Sequence, residues 1–190
     1  TLIVGGDNID TATPAQVSFN IVTVPNNPPV QLSSLVTQPG PDLAVNRFEI
    51  TPSTGLLTGQ DVGVKWVVEN QGGLPASGTW SDRIVVRNTD TGTVIADISV
   101  PYDSAIDGDI AVGDARVRNT TIKLPNGSAA AGHLSFTVLV DSNNVLAESN
   151  SSSTAEDNNS ATEDADVTLA PYADVTVSDL ALQPSTNVQP

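Results

Sequence analysis

Cysteine is absent from this chain, histidine occurs once, and seven Lys or Arg residues stand against 22 Asp or Glu, for a net charge of −15. Without cysteine there is no disulfide, no thiol nucleophile and no thiolate metal site. The single His133 follows Gly132 in a turn before a strand, where nothing places a serine and a carboxylate around it. No GxSxG, HExxH or glycine-rich phosphate loop occurs either, so the sequence offers no catalytic constellation. Pairs of carboxylates suited to glycoside hydrolysis are available anywhere in so acidic a chain and carry no information. The shortage of basic residues argues against nucleic acid and anionic membrane surfaces as partners. No apolar run approaches the roughly 18–20 residues of a membrane-spanning helix, which excludes helical membrane insertion. Aromatics make up only 4% of residues, so any core must rest on Val, Ile, Leu and Ala.

The residues that are abundant favour strands and turns. Val, Thr, Ser, Asn, Gly and Pro are frequent, and no helical period runs beyond two turns, which predicts an all-β fold. In LAVNRFEI the apolar phase changes between Leu43/Val45 and Phe48/Ile50, placing a β-bulge at Asn46-Arg47. Val62, Val64, Trp66 and Val68 share one face of the next strand, with Lys65 and Glu69 opposite. Trp80 to Asn88 directs Ile84 and Val86 inward and Arg83 and Arg87 outward. Asp90-Thr91-Gly92 turns the chain into a strand carrying Val94, Ala96, Ile98 and Val100 on one face. After an acidic loop from Asp103 to Asp114 come ARVRNTTIKL, the Asn126-Gly127 turn, and a strand with Leu134, Phe136, Val138 and Val140 in phase. A polar stretch from Ser142 to Asp164 precedes a last strand, Ala165 to Leu169. About seven strands at this spacing predict an immunoglobulin-like antiparallel β-sandwich without the disulfide.

The chain also nearly repeats itself. PDLAVNRFEITPST (Pro41 to Thr54) returns as ADVTVSDLALQPST (Ala173 to Thr186), roughly one domain length later. This predicts a segment of a longer tandem array, with partial β modules at both ends. Residues 1–24 read as the closing hairpin of a preceding module, 25–40 as a proline-rich linker, 41–170 as the sandwich, and 171–190 as the first strand of the next repeat. Unpaired strand edges in the partial modules also predict self-association by strand exchange.

Taken in order, PDLAV, VKWVVENQG, SGTWSDRIVV and FTVLVDSNNVLAESN…EDNN resemble CARDB, the cell-adhesion-related domain found in bacteria. The resemblance covers Pro41 to Leu169. It implies a β-sandwich module, often tandemly repeated in large secreted or surface proteins, with neighbouring repeats as its partners. The SNSSSTA insertion before Glu156-Asp157-Asn158-Asn159 makes the closing loop longer than the family pattern.

Three groups of residues are candidates for chemistry. Asp141, Asn143 and Glu148 lie in DSNNVLAE with the Val145 carbonyl, and Asp157, Asn158 and Asn159 can complete the arrangement, Asn158 being the one included in the ligand set. Alternating oxygen donors followed by a carboxylate suit calcium, which takes six to eight oxygens. The same residues suit an Asx-rich turn better, in which Asp141 and Asn143 accept from nearby backbone amides. Asp103, Asp107, Asp109 and Asp114 form a second acidic loop that reads better as a solvated turn. Trp80, in the WSD triplet, is either a platform for a sugar ring or a residue packed over the sandwich edge with its N–H bonded nearby; packing is the expectation. Trp66 belongs to the core.

The expectation that follows is a non-catalytic repeat of a bacterial cell-surface fibre or adhesin, acting as an extracellular spacer that calcium stiffens. The alternatives are a glycan- or protein-binding module using the loops at one end of the sandwich, and a strand-exchanged subunit.

Overall fold

The computed structural model describes residues 40–171 and 176–178. The hairpin expected over 1–24, nearly all of the 25–40 linker and most of the returning strand near Ala173 lie outside them.

Eight strands run through the described residues. They are β1 (Leu43–Thr51), β2 (Leu56–Leu57), β3 (Asp61–Asn70), β4 (Thr79–Asn88), β5 (Val94–Asp103), β6 (Ala115–Lys123), β7 (Gly132–Leu139) and β8 (Ser160–Thr168). One short helix, α1 (Ser104–Asp107), follows β5. The strands form two sheets, ordered β1-β3-β6 and β2-β8-β7-β4-β5. Every pairing is antiparallel except the brief parallel contact of β2 with β8. The fold is thus the all-β two-sheet sandwich that strand spacing predicted, with β2 the strand that the sequence pattern did not announce.

The alternation of side chains explains why the sheets close on each other. Val62, Val64, Trp66 and Val68 point from β3 into the core, where Ile84 and Val86 of β4 and Leu134, Phe136 and Val138 of β7 meet them. Each such side chain contributes about 1.5–3 kcal/mol by leaving water. The expected bulge is present: Val45 pairs with Val68 and Arg47 with Val67, leaving Asn46 as the extra residue. That shift lets Leu43 and Phe48, five positions apart, both face inward. The last strand begins at Ser160, earlier than the polar sequence predicts. Its first half pairs with β7 through Thr137–Thr162 and Ser135–Asp164, polar side chains on the outer face. Edge-side pairing, rather than apolar content, extends it.

Strand direction gives the domain two distinct ends. Leu43, Asn70, Thr79, Asp103, Ala115 and Ser160 mark one end, and Thr51, Asp61, Asn88, Val94, Lys123 and Thr168 the other. The chain therefore enters at one end of the sandwich and leaves at the opposite end.

Candidate functional site

The entry end holds a buried polar cluster assembled around the root of β1. Asn70, fully buried at the end of β3, accepts through Oδ1 from the amides of Asp42 (3.1 Å) and Gly72 (3.0 Å). Its Nδ2 donates to the carbonyls of Leu74 (2.8 Å) and Ile110 (2.9 Å). One side chain thereby ties the entering strand to two loops. Gly72 packs so closely on the entering chain that a Cβ there would lie 2.3 Å from the Gly40 carbonyl oxygen.

On the other side of β1 lies the long loop between β7 and β8. The Leu43 amide donates to Glu148 Oε2 at 2.5 Å. The Asp42 carboxylate accepts from Asn158 Nδ2 (2.9 Å) and Asn150 Nδ2 (3.0 Å). Asn159 Nδ2 donates to Glu148 Oε1 (3.1 Å) and Glu156 Oε2 (3.2 Å). Burial pushes the Glu148 carboxyl up to about 7; the Leu43 and Asn159 donors offset this in part, and Glu156 and Asp141 add to it. Glu156 is raised as well, first by burial and then by Asp141 and Asp42. The Oδ1 atoms of Asn158 and Asn159 are buried and have no hydrogen-bond partner. Among the described residues no three His, Cys, Asp or Glu side chains are placed to hold a metal ion together. What the cluster offers is carboxylates interleaved with amide oxygens that lack donors. That donor set suits a hard cation, because only oxygens are presented.

The residues expected to bind calcium from the sequence are divided by the fold. Glu148 and Asn158 join this cluster. Asp141 is buried at φ 42° and accepts from the amides of Val145 (3.0 Å) and Leu146 (2.7 Å), four and five residues on, which closes the loop around its carboxylate. Asn143 and Val145 lie apart from the cluster, lining a cleft of about 350 Å³ beside Trp80, Pro101 and Tyr102. Asn159, which the sequence also offered, joins Glu148 and Asn158, and Asp42, Asn70 and Glu156 complete the arrangement. Asp42 was legible in principle, since the Asp opens both copies of the internal repeat.

The other candidates resolve as structural residues. Trp80 is only 4% exposed and stacks on Tyr102 with ring centroids 4.2 Å apart, so its face is not a platform. Its N–H, expected to find a partner, is buried without one. Asp103 caps α1 by accepting from the Ala105 amide, and Asp107 accepts from the Asp103 amide, which fits the solvated-turn reading of the acidic loop. His133 is held by Asp166, whose hydrogen bond raises it above its usual value on an exposed surface. Among the described residues no helix is long and apolar enough to cross a membrane.

Two packed sheets, a core of aliphatic side chains and a polar knot at the chain's entry define a β-sandwich module. The CARDB family model matches residues 40–163. The chain belongs to the CARDB family, as its motifs implied, and carries that family's adhesion-associated domain fold. A CARDB domain from Pyrococcus furiosus, crystallised in complex with di-metal ions, is 23% identical, with a TM-score of 0.47, over 69% of this chain and 96% of its own. The solution structure of the same archaeal domain gives 22% identity and a TM-score of 0.46, covering 70% and 100%. The C-terminal domain of wzt is 13% identical at a TM-score of 0.43, covering 78% and 86%. A search of curated proteins finds no match.

Proposed function

We propose that this domain is a non-catalytic spacer repeat of an extracellular surface fibre or adhesin, stiffened at its entry end by a divalent cation, calcium by the chemistry of its donors. The path of the chain carries the reading. It enters at the root of β1 and leaves at the end of β8, at opposite ends of the sandwich. Tension applied through neighbouring modules would run along these two strands. Their ladders with β3 and β7 have hydrogen bonds perpendicular to the strands, so the bonds would be loaded together in shear. A module built this way transmits force without peeling. The polar cluster adds a second anchor, since Asn70 and Glu148 grip adjacent amides of the entering segment.

Single-molecule pulling on the whole chain through its ends tests the proposal. The expected trace is one cooperative rupture of the sandwich, at a force that rises with calcium and falls with chelator. Stepwise peeling at low force would overturn the spacer reading. Binding to a glycan array by the same chain would instead favour recognition through its loops.

A further inference from the structure

We propose that Glu148, Glu156 and Asn159 form the seat of one hard divalent cation, and that the Asn159 amide turns over when the ion arrives. This rests on the cation-stiffened reading and adds where the ion sits and what moves.

The argument starts from the amide. Asn159 is 2% exposed, and its Nδ2 lies between Glu148 Oε1 at 3.1 Å and Glu156 Oε2 at 3.2 Å. A neutral NH2 group therefore stands between two carboxylates where a cation would be drawn, donating one N–H to each. The other half of the same amide is left unmatched, because Oδ1 is buried with no donor. A buried carbonyl in that state bears its full desolvation cost. Turning the amide by half a revolution about its last side-chain bond exchanges nitrogen and oxygen. With nothing else present, that would set three oxygens against one another. Around a divalent ion the same three oxygens become ligands, and the unmatched carbonyl is satisfied.

The surroundings agree with this chemistry. Asn158 repeats the pattern, with Nδ2 on Asp42 Oδ1 and its own Oδ1 buried and unpartnered. Neither sulfur nor imidazole takes part, which favours calcium over softer ions. Glu156 is exposed, so its carboxylate meets solvent, the source of the waters that complete a calcium shell. Glu148 transmits the effect: while Oε1 faces the ion, Oε2 holds the Leu43 amide at the root of β1.

Calorimetric titration of the whole chain with calcium chloride, with the Asn159 side-chain amide followed by NMR, tests the seat. Saturable binding of one ion should move the Asn159 NH2 resonances, because both acceptors are lost. Glu156→Gln, whose melting temperature in chelator reports any structural cost separately, should weaken affinity by on the order of tenfold or more through the lost charge. Asn159→Asp should melt lower than the native chain in chelator, because a third carboxylate replaces the donor bridge. It should then gain a larger thermal shift from calcium than the native chain does. A purely structural asparagine would give the first effect without the second. If the native chain binds calcium and neither variant alters affinity, this seat falls while the stiffened-spacer reading stands. If millimolar calcium produces neither heat nor thermal shift, both cation proposals fall, and the spacer geometry is judged by pulling alone.

Discussion

Arg118 of β6 reaches across the sandwich to donate to the fully buried carboxylate of Asp82 on β4, joining the two sheets through an ion pair. Trp66 Nε1 donates to the same Asp82 oxygen at 2.7 Å, and the Asp141 amide to the other at 3.3 Å. The guanidinium lies 5.4 Å from the Trp66 ring centre and 5.2 Å from that of Tyr102, and it also donates to the Pro101 carbonyl at 2.6 Å. Burial raises the Asp82 carboxyl, while Arg118 and Trp66 pull it back. Removing one partner leaves the other charge buried and alone. Arg118→Met or Asp82→Asn is therefore expected to destabilise the domain by about 3–5 kcal/mol in urea unfolding. The double variant should lose clearly less than the sum, because the second change removes the stranded partner.

Stability should fall as pH rises in the absence of divalent cations. Glu148 is held at about 7 in the fold against an ordinary value of 4.5. Between those values the folded chain binds more protons than the unfolded one, so each increment of pH favours unfolding. Glu156 and Asp82 are shifted the same way. His133, also raised, contributes stability below its unfolded value that is lost as pH climbs through its folded one, weakly because it is exposed. Asp97, lowered by Arg83, acts only at more acidic pH. Melting temperature measured in chelator should drop from about pH 4.5 to about 7, and Glu148→Gln should flatten the curve. A flat native profile would count against the burial of Glu148.

Gly72 is needed for contact, not for backbone conformation. A Cβ there would meet the Gly40 oxygen at 2.3 Å, the Asp42 nitrogen at 2.5 Å and the Pro41 carbonyl carbon at 2.6 Å, all main-chain atoms. Gly72→Ala should force the entering strand away and cost about 1–3 kcal/mol in thermal or denaturant melts. Hydrogen exchange at the Asp42 and Leu43 amides should speed up most.

Asp141 anchors its loop by accepting two backbone amides from a left-handed conformation. Asp141→Ala should destabilise the domain by about 2 kcal/mol or more, because two donors lose a charged acceptor. Asp141→Asn should cost less, since asparagine tolerates that conformation and keeps one acceptor oxygen. Chemical unfolding of the two variants side by side checks the order.

Much of this architecture can be read from local pattern, because the period of two along a strand is a property of neighbouring residues. Val62 to Val68 and Leu134 to Val140 announced buried faces, and the phase change after Val45 announced the bulge at Asn46. Motif order was enough for the family. The closing strand was harder. Ser160 to Asp164 carries no apolar alternation and is a strand because β7 is there to pair with it. The cluster was harder still. Asp141, Asn143, Val145 and Glu148 are close in sequence, yet a left-handed turn at Asp141 sends Asn143 and Val145 to the Trp80 cleft and Glu148 to the root of β1.

By itself the sequence determined that the protein is all-β, acidic, built without disulfides on an aliphatic core, and a member of an adhesion-associated family. The first three follow from composition and short-range periodicity, which need no partner to be legible, and the family follows from the resemblance of its ordered motifs. Tertiary structure alone decided which oxygens meet. Asp42 precedes β1 and Asn70 ends β3, Glu148, Glu156 and Asn159 come from the loop between β7 and β8, and the two groups converge only when the sheets close. It also decided that the chain enters and leaves at opposite ends. Burial then raised the Glu148 carboxyl above its ordinary value, because removing water is an effect of the whole fold and not of any residue's neighbours in sequence.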